Sequence, residues 1–232
     1  MSALTAVQRF RESMEMNYER WHDGVGFDLT AITGANHEER LEIEELLVSR
    51  SPLEWREIEA WNALATPRAR ERIADALRTG TVSQQLAILN YAPDAVDDEI
   101  RTSVLVHALE QTEFHGGLTQ TLALVEEFQP APVLEALFLG ALGRTGDAAV
   151  HFAAMLAFVH GKAESSFDWA LRPLFLKFGD AHTRDAAFDD LCALVAADAS
   201  MWRALARQKG PTKRREYASS TPPGEPSSLC AD

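Results

Sequence analysis

The stretch MNYERWHDGVGFD, residues 16–28, holds Tyr18, Trp21, His22 and Asp23, the densest mixture of aromatic and ionisable side chains in the chain. Tyr18 and Trp21 are three residues apart and share a helix face, and His22 adjoins a carboxylate that can orient its ring, as a general base requires. Such chemistry also needs a nucleophile or a second carboxylate, and none is fixed by the spacing here. The expectation is therefore structural: Tyr18 and Trp21 close one end of the fold while Gly24 and Gly26 shape a turn. Partner binding is the functional alternative.

The histidines elsewhere do not converge on a metal. His151 and His160 flank the apolar run HFAAMLAFVHG. Nine helical residues set them about half a turn apart and roughly 13.5 Å apart along the axis. His107 and His115 would be separated by about 12 Å of helical rise, and Gly116 and Gly117 follow at once. No HxxxH or HExxH pattern, CxxC pair, Gly-rich phosphate loop, GxSxG elbow or EF-hand loop is present, so no cofactor or metal is expected. His151 is read as a hydrogen-bonding helix residue and His160 as one favoured by the helix dipole. His115 and His151 remain candidates for a partner surface.

Two further stretches suit recognition better than catalysis. KAESSFDWALRPLFLKFGDAHT, residues 162–183, carries Asp168, Trp169 and Arg172 among Phe167, Phe175 and Phe178. Aromatics beside an arginine make binding anchors, although they can equally seal a last hairpin, the reading preferred here. HEERLEIEELLVSRSPLEWREIE, residues 37–59, has eight acids against three arginines. Most such runs are solvated helix faces; as a docking site for a basic partner it would use Trp55 or Trp61.

These residues must be carried by helices. Apolar residues recur at three- and four-residue steps, and no alternating stretch reaches strand length, so the fold class is all-α. The pattern predicts helices near 3–22, 37–49, 53–64, 67–79, 82–91, 96–111, 117–128, 131–143, 146–160, 183–197 and 199–207. Thr66 before Pro67 supplies a cap and a first-turn proline, while Gly80, Gly143 and Gly161 follow helical runs.

Helices this short need packed neighbours, and the pairs repeat at 32 to 33 residues. Ala76-Leu77, Ala108-Leu109 and Ala141-Leu142 end three first helices, with Ile73, Leu105 and Phe138 on the same face. Leu86 and Leu89, then Leu118, Leu122 and Val125, then Val150, Ala154 and Ala157 form the stripes of the second helices. Leu47, Ile43, Trp55, Ile58 and Trp61 make a more divergent unit upstream.

GDAAVHFAAMLAFVHG resembles the second-helix signature of HEAT-like repeats of bacterial type, with Asp147, Val150, Ala153 and Ala154 on the pattern. His151 stands where the family usually places arginine, and GTVSQQLAIL at 80–89 keeps only the apolar spacing. Over residues 66–161 the resemblance implies a short right-handed α-solenoid of helical hairpins with irregular end caps, whose concave face holds a partner. Residues 1–207 would form this one domain, and 208–232, rich in Pro, Ser, Gly and charge, a disordered tail.

Charge narrows the partners. The 35 acids outnumber 22 Lys plus Arg for a net charge of -13, and the only dense basic run is KRR at 213–215. That balance repels phosphate backbones and argues against nucleic acid; it suits a basic protein partner, with an inhibitor or immunity-type protein as a special case. The charged N-terminus and the lack of a long apolar run point to a cytoplasmic protein without a membrane partner. A competing class is an enzyme on a HEAT-like scaffold, such as a DNA base glycosylase or another small-ligand enzyme, which would need a carboxylate in a basic concavity.

Overall fold

The computed structural model describes residues 4–50, 53–111 and 117–209. Within them the chain is all-helical, with no strand among the described residues. The α-helices are α1 (Ala6–Ser13), α2 (Tyr18–His22), α3 (Leu29–Gly34), α4 (His37–Val48), α5 (Trp55–Leu64), α6 (Pro67–Thr79) and α7 (Val82–Tyr91). They continue with α8 (Asp98–Gln111), α9 (Thr119–Glu127), α10 (Ala131–Gly143), α11 (Asp147–Val159), α12 (Arg172–Leu176), α13 (Ala181–Leu194) and α14 (Ala199–Lys209).

Helix starts follow side-chain chemistry. Thr66 Oγ1 accepts the Ala69 amide at 3.1 Å ahead of Pro67, and Thr5, Asn36 and Thr81 each form a reciprocal capping box with a Gln or Glu three residues on. These caps satisfy amides that the first helical turn leaves without carbonyls. At the other end of α5, Ala65 adopts φ 53°, a left-handed conformation that disfavours a β-carbon. Because Ala65 is exposed, Ala65→Gly is expected to raise stability by about 1 kcal/mol, a shift of about 2–4 °C in Tm. An unchanged or lower melting temperature would show that the strain is absent.

The predicted helix over 3–22 is broken, because the chain leaves the helix at Met14 and re-enters at Asn17. Asn17 Oδ1 takes the Arg20 amide at 2.8 Å, while the Arg20 guanidinium turns back to the carbonyls of Glu12 and Glu15 at 3.2 and 3.1 Å. Ser13, buried, donates to Phe10 O at 2.6 Å and accepts the Asp28 amide at 2.9 Å, fastening the later loop to α1. The helix α3 lies where the periodicity predicts none; Asp28 caps it, and Ala31 and Ile32 are its buried face.

Packing is local in sequence: α5 meets α6 and α7, α7 meets α8 and α9, α8 meets α9 and α10, and α10 meets α11. Of the positions read as repeating, Ile73, Leu105 and Phe138 face inward, as do Ala76, Ala108 and Ala141, while Leu77 and Leu142 are half-buried. Two apolar cores result. The first collects side chains from Val7 to Ala92 and the second from Leu86 to Val195. Helix α7 belongs to both, giving Ala87 and Ile88 to one and Leu86 and Leu89 to the other.

Helix α11 runs through the second core, with Ala148 to Val150 and Phe152 to Ala157 all buried. Gly140 on α10 lies against Phe152, close enough that a β-carbon there would stand 2.3 Å from a ring carbon. Over 162–183 the chain forms α12 and a 3-10 turn at Lys177–Gly179, packed on α11 and α13. Phe175 and Phe178 are fully buried.

Arginines fasten one helix end to the next element. Arg144 Nη1 donates to the carbonyls of Leu109 and Glu110 at 2.8 and 3.0 Å, ending α8. Arg184 reaches Phe178 O and Leu142 O at 3.2 and 3.4 Å, and Arg40 donates to Leu64 O at the end of α5. Each satisfies carbonyls that a helix terminus leaves open.

Candidate functional site

The short helix α2 projects its aromatics into solvent. Tyr18 is 73% exposed and Trp21 63%, so the expectation that they close the end of the fold is not met. Tyr18 is the centre of a one-turn row of rings, 6.3 Å from Trp21 and 5.8 Å from His22 between centroids. Met16 and Val25, 36% and 38% exposed, extend the apolar surface on either side. Around it stand Glu15, Glu19 and Asp23, all exposed. The basic residue of α2, Arg20, turns back onto the carbonyls of Glu12 and Glu15.

His22 Nδ1 lies 3.1 Å from Asp23 Oδ1, so the sequence pair does meet. Both side chains are about two-thirds exposed, at 65% and 68%. A histidine and a carboxylate in open water, with no wall to hold a substrate, make a polar rim to the aromatic row rather than an acid–base pair.

The surface continues through the loop after α2 to α5. Gly24 takes φ +64° to turn the chain. Arg56 then donates from Nε to Val25 O at 2.9 Å, fixing the loop to α5. Trp55 stacks on Tyr91 of α7, 5.2 Å between centroids and 25° between planes, with the Arg56 guanidinium 4.4 Å from its ring. Trp55 is half-buried, against Tyr91 and the loop at Gly26. Trp61 is fully buried and is not a surface anchor. In the acidic run around them, Glu44 and Glu57 are also buried, Glu44 accepting from Thr66 Oγ1 at 2.6 Å and Glu57 pairing with Arg50 at 3.1 Å.

The remaining candidates lie on other elements. His151 on α11 is half-buried and packs on Phe167 at 5.4 Å. Burial pushes its pKa below the usual histidine value, with Asp147 one turn earlier opposing the shift. As pH falls, the unfolded chain takes up this proton first, so the native state loses stability from about pH 6.5 downward. Between pH 7.5 and 5.5 His151→Gln is expected to show a smaller fall in Tm than the parent chain; parallel melting curves at the two pH values would refute the assignment. His160 donates from Nδ1 to Leu156 O at 2.7 Å, at the end of α11.

Asp168 organises its own loop: Oδ2 accepts the Glu164 amide at 3.0 Å and Oδ1 the Ala170 amide at 2.7 Å. These hydrogen bonds lower its pKa, that of Glu164 foremost. Trp169 is 77% exposed, and the Arg172 guanidinium lies 4.9 Å from its ring centroid. Sealing therefore falls to Phe175 and Phe178, while Trp169 and Arg172 form a separate exposed pair. His115 and the KRR run lie outside the described residues.

No group of His, Cys, Asp and Glu able to hold a metal occurs among the described residues. Cys192 is buried, and burial pushes its thiol up to about 11, which leaves it inert as a nucleophile. No helix among the described residues is long and apolar enough to cross a membrane. The exposure of Tyr18 and Trp21 and the link from the loop to Trp55 have no signal in the sequence, because each depends on which helix covers which. No protein-family model, curated protein or solved structure matches the chain.

Proposed function

We propose that this chain is a short HEAT-like α-solenoid that acts without chemistry of its own, by binding a basic protein in the cytoplasm. The observation that carries the reading is the exposed row of Tyr18, Trp21 and His22, flanked by Met16 and Val25 and rimmed by Glu15, Glu19 and Asp23. Soluble surfaces rarely gather this much aromatic area without a use, and Trp and Tyr dominate the energetics of protein interfaces. The neighbour-to-neighbour packing and the burial of most of the repeat positions support the repeat architecture.

Electrostatics favours a basic partner. Many of the cations are engaged internally, Arg20, Arg40, Arg56, Arg144 and Arg184 on carbonyls and Arg50, Arg68 and Arg203 on carboxylates. Those contacts leave the net charge as it is, and the 35 acids against 22 Lys plus Arg give a negative field that steers a positively charged protein toward the surface. An inhibitor or immunity-type role against a basic toxin or nuclease is the special case that this charge fits. The enzyme alternative needs a carboxylate in a basic cleft. The depression of about 540 Å³ along α8 is instead open, bounded by Glu99 and Glu110, with no Lys or Arg in its lining.

The test is capture from the native cell lysate with the full chain as bait, at low and moderate salt. One basic protein recovered in a salt-sensitive way, and lost when Tyr18 and Trp21 are replaced, supports the reading. No partner at either salt overturns it.

A further inference from the structure

Glu59 differs from the other shielded acids of α5 and its surroundings. Half-buried, it makes no hydrogen bond and no ion pair among the described residues, whereas Glu44 and Glu57 are each satisfied. Burial alone holds its carboxyl above the usual range. Its oxygens are not sealed from water, so they stay open to a donor from outside the chain.

Gly26 explains where that carboxylate rests. No positive φ demands glycine at this position, yet a β-carbon there would stand 3.0 Å from Glu59 Oε2 and 3.5 Å from Trp55 Cζ3. The missing side chain lets the carboxylate and the indole rim lie against the loop backbone, which removes water from one side and leaves the other open. Trp55 is fixed by its stack on Tyr91, and Arg56, the nearest cation in sequence, is committed to Val25 O and Glu54. Asn62, one turn further along α5, donates to Tyr91 O at 3.1 Å and does not turn to Glu59.

We propose that Glu59 receives an arginine side chain of the basic protein partner, held beside the Trp55 rim, while Val25 and the Tyr18–Trp21 row engage the residues next to it. The inference rests on the protein-binding reading above and names the contact that selects the partner. Charge complementarity chooses a cation. Arginine is favoured over lysine because both carboxylate oxygens lack donors and a flat guanidinium can bond the two while lying along an aromatic edge.

The probe is N-acetyl-arginine amide, titrated into the ¹⁵N-labelled full chain and followed through the Gly26 amide and the Trp55 indole N–H. A saturable shift is expected at both, weakened about tenfold by Glu59→Gln and absent with the uncharged citrulline analogue. Gly26→Ala, which crowds Oε2, should also weaken it, and each variant's amide spectrum checks that the fold is kept. Equal shifts from the citrulline analogue, no saturable shift, or an unchanged affinity in Glu59→Gln would overturn the proposal. The two readings fail separately: a basic partner captured equally well by Glu59→Gln removes the arginine contact and leaves protein binding intact, while arginine amide binding without any captured partner does the reverse.

Discussion

Replacing Gly140 by alanine is expected to destabilise the protein by about 1–3 kcal/mol, although alanine is the better helix former by about 1 kcal/mol. The new methyl would lie 2.3 and 2.4 Å from two ring carbons of Phe152, and Phe152 is completely buried, so the ring has no solvent to swing into. Either α10 and α11 separate or the ring leaves its rotamer, and both loosen the core around Ala141 and Ala153. Thermal denaturation should show Tm lower by several degrees. Gly140→Ala combined with Phe152→Leu should recover part of the Gly140→Ala loss relative to Phe152→Leu alone. A melting temperature equal to or above the parent's would mean that the two helices stand further apart than described.

The second large effect concerns recognition instead of stability. Tyr18→Ala with Trp21→Ala should leave the melting temperature nearly unchanged, because both rings are mostly in water and surface substitutions rarely exceed about 0.5 kcal/mol. The same pair should reduce partner affinity by at least about 2 kcal/mol, roughly thirtyfold, as removal of aromatic anchors does. Trp169→Ala serves as the comparison: it is even more exposed, but it sits on the loop before α12 and not on the row formed by α2. If Trp169→Ala abolishes capture while the Tyr18 and Trp21 pair does not, the binding surface belongs to the other end of the chain.

How far the sequence speaks varies with what each feature depends on. Helices α6, α7 and α10 match their predicted limits because their signals are local: Thr66 and Pro67 at one start, Thr81 and Gln84 at another, and Gly80 and Gly143 where α6 and α10 end. The break between α1 and α2 is hidden, since Phe10, Met14, Tyr18 and Trp21 continue a three- and four-residue spacing and the competing bonds come from Arg20 and from the distant Asp28. Trp55 and Trp61 look alike in sequence, yet one is half-buried and the other fully so, because only contacts with other helices separate them. The arginines are illegible for the same reason: each carbonyl they reach belongs to a different element. The row of Tyr18, Trp21 and His22 was visible as a cluster, and its acidic rim as a charge excess. Its exposure depended on no other helix packing over α2, which periodicity does not encode.

The two-sided position of α7 bears on how the chain can be divided. Its Ala87 and Ile88 complete one apolar body while Leu86 and Leu89 complete the next. A fragment ending before Val82 would lose the inner wall of its own core, and one beginning after Tyr91 would expose the underside of the other. With α7 included in either piece, the orphaned half of that helix would be an uncovered oily strip. The chain consequently has no natural cut point near its middle, so nicking there should yield fragments that cling together or precipitate instead of two free-standing halves.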